Sequence, residues 1–414
     1  MDWHGTTLAG FDELARKYGT PFFLYDADLV NRRIRELRDA LEGEVSVYYA
    51  VKANPNLELL RAVSSVADGV DISSAGELDQ ALRAGFDPTM MSFAGPAKTA
   101  AELEAAISAG IGCISIESIR EIEECARVAR QLGKRARILL RVNPLMPNKT
   151  YGLKMGGRPV QFGIDEEELP QAEQCVLKHE QHLEFRGIHV YAGSQCFEPT
   201  GVIEGTRNTL RIARELEARS GLRCRKINLG GGFGVSHSEG GRELDHRELA
   251  SRLIPLLRTY REEGVAECEF IFELGRYLTA EAGIYVTRVI NSKMSRGKAF
   301  FACDGGLHHH LAAAGTFGAA LRTNFELRNL SRPDEAAIVC NVAGPSCNPT
   351  DLLGVEVSLP RPTIGDLLGV LRSGSYGFTA SPLLFLGRPT PAELVRRDGE
   401  VVLGRRSRTM TEFN

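Results

Sequence analysis

Between residues 45 and 273 the chain repeats one pattern eight times: a short apolar run, then a longer stretch with apolar residues at helical spacing, often closed by glycine. The runs are Val45 to Val51, Gly69 to Ile72, Met90 to Phe93, Cys113 to Ile116, Ala136 to Val142, Glu184 to Val190, Arg225 to Leu229 and Cys268 to Phe272. Strands alternating with helices build parallel sheets. Eight such units predict an α/β fold, a (β/α)₈ barrel of the TIM type, with an open doubly wound sheet as the alternative. The barrel is expected over residues 30–283. Beyond it the helical pattern fades, and runs such as Ile284 to Ile290 and Ala299 to Cys303 read as strands. Residues 284–414 are therefore expected to form a mostly β domain, joined by residues 1–29 through the strand-like Phe22-Phe23-Leu24-Tyr25.

In a barrel of this kind chemistry sits where strands end. At or just past those ends stand Lys52, Asp71 to Ser74, Gly95, Glu117, Arg141 with Asn143, Tyr191 to Gln195, Gly230 to Gly234, and Glu273 with Arg276. The 414 residues carry a formal charge of −3, which supplies no basic field for nucleic acid or an anionic membrane. No apolar run is long enough to span a bilayer and no basic, then apolar, leader opens the chain, so a cytoplasmic location is expected. Nine cysteines without a C-x-x-C pair indicate neither a zinc ribbon nor a disulfide framework.

Asn228-Leu229-Gly230-Gly231-Gly232-Phe233-Gly234 follows a strand, and its glycines let backbone N–H groups approach an anion; a tight turn is the plainer alternative. Lys52 ends Tyr48-Tyr49-Ala50-Val51. It is either a solvated rim charge or an amine whose pKa is lowered by burial or cationic neighbours, fit to form a Schiff base. An amine and a phosphate cradle on one rim suit pyridoxal phosphate. Glu273 then gains a role beside the pyridine nitrogen, against its alternative as a partner of Arg276.

Six ordered motifs extend that reading: Tyr49 to Asn54, Gly187 to Gln195, Gly230 to Gly234, Glu273 to Tyr277, Gly344-Pro345-Ser346-Cys347 and Gly374-Ser375-Tyr376-Gly377. On them the chain resembles the fold-type III pyridoxal-phosphate decarboxylases, the family of diaminopimelate, ornithine and arginine decarboxylases. The resemblance implies that Lys52 carries the cofactor with Asp71 close by, and that Gly231, Gly232, Gly234, Arg276 and Tyr376 hold its phosphate. It also implies that Glu273 pairs with its ring nitrogen, that Arg141 lies near its phenolic oxygen, and that Tyr191 and Ser194 complete the cofactor site. Cys347 would act as the acid that protonates the α-carbon, arriving from the partner subunit of an obligate homodimer, and Asp351, four residues on, is assigned to the substrate with Asn348.

The departures from the family pattern concern substrate. Tyr191 replaces the histidine usually stacked on the ring, a change an aromatic face tolerates. Asn348 stands where decarboxylases of diamino acids carry Asp or Glu against a distal ammonium, and a neutral amide cannot supply that charge. The substrate arginine expected after Asp304-Gly305-Gly306 is replaced by Leu307-His308-His309-His310. Neighbouring histidines on a strand would point to opposite faces, so His309 is assigned to a substrate pocket or the dimer, not to a metal. With Lys154-Met155-Gly156-Gly157 and Phe385 to Pro391, these features are similar to the natural-product branch of the family, which acts on acidic amino acids held on acyl carrier proteins. The implied substrate is a glutamyl, aspartyl or 3-methylaspartyl thioester, the implied partner an acyl carrier protein. Diaminopimelate or another free amino acid is the alternative, and a catalytically silent regulatory homologue the remote one. Arg396-Arg397 and Arg405-Arg406 are candidate docking sites for an acidic carrier.

Overall fold

The computed structural model describes residues 2–146, 150–154, 156–238, 240–315 and 323–414. Eight parallel strands close into a barrel: Ser46–Ala50, Gly69–Ile72, Met91–Phe93, Cys113–Ile116, Ala136–Asn143, Leu183–His189, Lys226–Asn228 and Glu269–Leu274, with the last pairing back to the first. Each lies within two residues of its expected position. Nearly every strand residue is buried, because the barrel core covers one face and the outer helices the other.

The helices begin where the sequence offers a cap. Asn56, Ser74, Thr99, Ser118 and Asp245 each accept a hydrogen bond from a first-turn N–H, satisfying donors that the helix cannot. Gly85 and Gly110 end two of them in the left-handed conformation. The eighth helix of the ring precedes the barrel: Ala27–Ala40, capped by Asp26, packs against Leu57–Val63 and His246–Glu263.

The second module is a nine-stranded, mixed sheet. Its axis is Phe22–Asp26, antiparallel to Gly283–Ser295 on one edge and parallel to Ala392–Arg397 on the other. The strand-like stretch near the start therefore sits in the middle of the tail's sheet. One feature of this module went unread in the sequence: a helix, Leu8–Tyr18, lays Phe11 and Ala15 over Leu24, Ile284, Leu367 and Leu394. Among the described residues no helix is long and apolar enough to cross a membrane.

Candidate active site

At the carboxyl ends of the barrel strands Lys52, Tyr191, Ser194, Gly232, Glu273, Arg276 and Tyr376 line one cleft of about 330 Å³, measured out to solvent. Lys52 lies in a single 3₁₀ turn, Val51–Ala53, directly after the first strand. Its side chain keeps 39% of its surface open toward the cleft, and Nζ lies 3.2 Å from Asp71 Oδ2. Asp71 comes from the neighbouring strand, where it is paired with Ala50, and its other oxygen accepts from Ser92 Oγ at 2.8 Å.

The pKa of Lys52 runs opposite to the sequence expectation. Burial on its own would lower it, but the carboxylates of Asp71 and Glu273 outweigh burial and raise it. Without the cofactor Lys52 is therefore held as an ammonium, paired with Asp71 Oδ2. Burial, then the Glu273 charge, pushes the Asp71 carboxyl above the usual carboxylate range, while the Lys52 charge pulls it down.

Glu273 is shifted the other way. Burial would raise it, yet His189, Lys52 and Arg141 hold it below the usual range. Its Oε2 accepts from Asn228 Nδ2 at 3.1 Å, and Oε1 lies 3.3 Å from His189 Nε2. Two carboxylates on one rim are thus driven apart, Glu273 downward and Asp71 upward. Asn228 and His189 were not assigned roles from sequence. The signal available was position: each ends a barrel strand, Asn228 immediately before the glycine loop.

Gly230 and Gly232 take φ of +68° and +78°, where a side chain is strained. A Cβ on Gly231 would sit 2.1 Å from Glu273 O, and one on Gly232 1.9 Å from Gly193 O. Gly234 packs under Phe197, where a Cβ would come within 2.7 Å of the ring. At Gly231 and Gly232 the cradle is backbone against backbone. Gly232→Ala should cost about 3 kcal/mol of local strain and weaken cofactor binding at least about tenfold, read by cofactor titration of the folded protein.

Arg276 closes the cradle. Its guanidinium lies 4.7 Å from the Tyr376 ring centroid, and Tyr376 N donates to Ala53 O at 2.8 Å, linking the tail to the Lys52 turn. Arg276 Nη1 meets His237 Nε2 at 2.9 Å. Burial, then Arg276 itself, pushes His237 down to about 3, so it is neutral and accepts from the guanidinium. Arg276 Nε is buried with no partner of its own. A spare guanidinium donor, glycine N–H groups, an open amine and a buried ionised carboxylate together fit a phosphorylated ring aldehyde such as pyridoxal phosphate.

Arg141 stands behind Tyr191, its guanidinium 5.9 Å from that ring. Glu117 fixes it: Oε1 accepts from Arg141 Nη1 and from Gly95 N, both at 2.8 Å, and Oε2 from Gly163 N at 3.1 Å.

Cys347, Asn348, Asp351 and His309 do not line this cleft. Cys347 is exposed. Asp351, assigned to substrate, is buried and gives both oxygens to its own chain, accepting from Leu307 N at 2.6 Å and Ser346 N at 2.9 Å. It shapes the loop that carries Cys347. Asn348 Oδ1 likewise closes a turn, accepting from Thr350 N at 3.0 Å and Thr350 Oγ1 at 2.9 Å. His309 lies between Tyr285 OH at 3.1 Å and Pro389 O at 2.9 Å, and His310 Nε2 meets Ser373 Oγ at 2.9 Å. Residues 307–309 form a turn, not a strand, so the alternating-face argument does not apply to them. Within one chain His309 braces the β module. Met155 lies outside the described residues.

Burial pushes both His309 and His310 down to about 3 from 6.5. Both stay neutral in the fold while the unfolded chain protonates below 6.5. Their contribution is therefore complete above that pH and is lost as pH falls toward 3. Denaturant melts should show about 3 kcal/mol less stability at pH 5.5 than at 7.5 from this pair; equal stability would contradict their buried, neutral state.

The four arginines considered for docking are already engaged. Arg396 pairs with Asp26 at 2.5 Å, Arg397 with Asp398 at 3.3 Å, Arg405 with buried Glu393 at 2.6 Å and Arg406 with Glu412 at 2.5 Å. Arg396 and Arg405 hold the sheet together and offer little to a carrier.

Residues 27–280 match the family model for the pyridoxal-binding domain of pyridoxal-dependent decarboxylases. The L-glutamyl-[BtrI acyl-carrier protein] decarboxylase of Niallia circulans is 39% identical over 408 residues, 97% of this chain and 94% of that one. The diaminopimelate decarboxylase of Archaeoglobus fulgidus is 31% identical, covering 92% of this chain and 89% of its own. Among solved structures, the Helicobacter pylori diaminopimelate decarboxylase complexed with L-lysine superposes with a TM-score of 0.87 at 29% identity, over 97% of this chain and 98% of that one. With the cleft geometry, the family model and a full-length relative in agreement, the chain belongs to the pyridoxal-dependent decarboxylases and works with pyridoxal phosphate.

Proposed function

We propose that this decarboxylase removes the α-carboxyl group of an acidic amino acid, glutamyl, aspartyl or 3-methylaspartyl, whose side-chain carboxyl is held as a thioester on an acyl carrier protein. The observation that carries the reading is the 344–351 loop. Its one carboxylate, Asp351, is spent on two backbone N–H groups, and Asn348 is neutral, so a distal ammonium finds no counter-ion there. A thioester asks for none. The similarity to an enzyme named for a glutamyl carrier protein supports the same choice.

Lys52 would hold the cofactor through Nζ. Gly231, Gly232, Gly234, Ser194, Arg276 and Tyr376 would take its phosphate, Tyr191 its ring face and Glu273 its ring nitrogen, with Asp71 and Arg141 alongside. When bound, pyridoxal phosphate supplies an electron-accepting ring for the pair released as carbon dioxide departs. Asp71 Oδ2, 3.2 Å from Lys52 Nζ, would orient that side chain toward the cofactor. Glu273 stays ionised and keeps a proton on the nitrogen it faces. Cys347 Sγ delivers a proton to the substrate α-carbon. Because Cys347 is exposed and away from its own cleft, we assign it to the cleft of a second copy, in a homodimer with shared sites. Exposed Leu384, Phe385 and Leu386 precede Arg388, whose Nη2 donates to Pro345 O beside that cysteine, and supply apolar surface for such a contact.

Mass spectrometry on cofactor-loaded enzyme tests the substrate. Carrier proteins bearing glutamyl, aspartyl or methylaspartyl groups should lose carbon dioxide, and free amino acids should not. The superposition on a lysine-bound diaminopimelate decarboxylase favours a second reading, action on that free diamino acid. Turnover of free meso-diaminopimelate at a rate matching any carrier-bound group would establish it instead.

A further inference from the structure

Glu273 is buried at the floor of the cleft, where burial alone would return its proton. What keeps it charged is a line of side chains across the barrel top. His189, the last residue of its strand, is fully buried. Its Nδ1 lies 3.0 Å from Ser115 Oγ, on a strand two places away; its Nε2 has no hydrogen-bond partner and stands 3.3 Å from Glu273 Oε1, a charge contact outside hydrogen-bond angles. We infer that His189 is a positioning residue: fixed by Ser115, it presents a proton on Nε2 that holds Glu273 ionised and aimed into the cleft, and so decides where the proton shared with the cofactor's ring nitrogen resides.

Ser115 Oγ can donate to Nδ1 or accept from it, so the Glu273 carboxylate selects the tautomer. When its hydroxyl donates to Nδ1, the ring proton must sit on Nε2, toward the carboxylate. The opposite tautomer would set a lone pair against a carboxylate in a dry interior. Around this line Glu273 also meets Lys52, Arg141 and Asn228, and His189 feels Asp71. Of these, His189 and Asn228 touch Glu273 with donors that are not needed elsewhere in the cleft. Losing the His189 donor makes the carboxylate more basic, so the proton moves from the ring nitrogen to Glu273 and the ring accepts electrons less well. The inference rests on the family chemistry and is independent of which amino acid is the substrate.

The test uses holoenzyme loaded with cofactor labelled at the ring nitrogen, read by nitrogen-15 NMR, with cofactor content and circular dichroism as controls. In His189→Leu the nitrogen signal should move toward its unprotonated position, and kcat should fall at least about tenfold with KM within about twofold. His189→Gln, which returns an N–H toward Glu273, should restore most of the wild-type signal. Ser115→Ala, which frees the ring to turn, should move it part of the way. A wild-type nitrogen signal in His189→Leu at full cofactor content would overturn the inference. Should that variant fail to fold, an unmoved signal in Ser115→Ala would do the same.

Discussion

Lys52→Ala should abolish turnover, with kcat/KM reduced by on the order of 10⁴-fold or more, while leaving the fold intact. Lys52 carries the only primary amine among the described residues lining the cleft, so nothing nearby can replace it. Stability should change little. The ammonium leaves Asp71 behind, but that carboxyl already sits above its usual range and keeps the Ser92 hydroxyl, so it takes up a proton instead of remaining as a stranded charge. Borohydride reduction followed by intact-mass measurement separates the effects. Wild type should gain the mass of one cofactor per chain and the variant none, with matching thermal melts. A reduced adduct in Lys52→Ala would move the attachment point elsewhere.

Cys347→Ala should lower turnover by about 10²- to 10⁴-fold, the range for a lost general acid. The informative experiment mixes it with Lys52→Ala. If each cleft takes its lysine from one copy and its cysteine from the other, half of randomly exchanged dimers hold one intact site. About a quarter of wild-type activity should then return from two nearly inactive proteins. No recovery after verified subunit exchange would place Cys347 in its own chain's cleft or outside the chemistry.

The barrel was legible because its strands are buried on both faces and so read as unbroken apolar runs bounded by turns, and strand ends were legible as the place for chemistry. Lys52, Glu273 and the glycine loop follow from that alone. What one dimension hides is the partner across the barrel. Asp71 reaches Lys52 because Ala50 and Asp71 share a register, and that contact reversed the expected direction of the lysine's shift. His189, Ser115 and Glu273 come from three separate strands, and no spacing rule announces their meeting. Asp351 and His309 look like site residues in a motif; the structure shows their hydrogen-bonding capacity taken up by backbone and by Tyr285. Helix Leu8–Tyr18 was overlooked because the strands around it set the expectation for the whole module.

The central place of Phe22–Asp26 in the second sheet has a consequence for biosynthesis. Translated before the barrel, this strand waits for partners that emerge far later: Asp26 meets Arg396 across 370 positions of chain. The barrel can close once the ribosome has released Leu274, and Gly283–Ser295 then covers one edge of the waiting strand. The other edge stays bare until Ala392–Arg397 arrives. During that interval Phe22, Phe23, Leu24 and Tyr25 present an apolar, unpaired ribbon to other nascent chains. A chain ending before residue 392 would keep that edge permanently open and should accumulate as insoluble material even with its barrel complete. Pulse-labelled expression of such a truncation beside the full chain would measure the interval directly, as the fraction of newly made protein lost to aggregates.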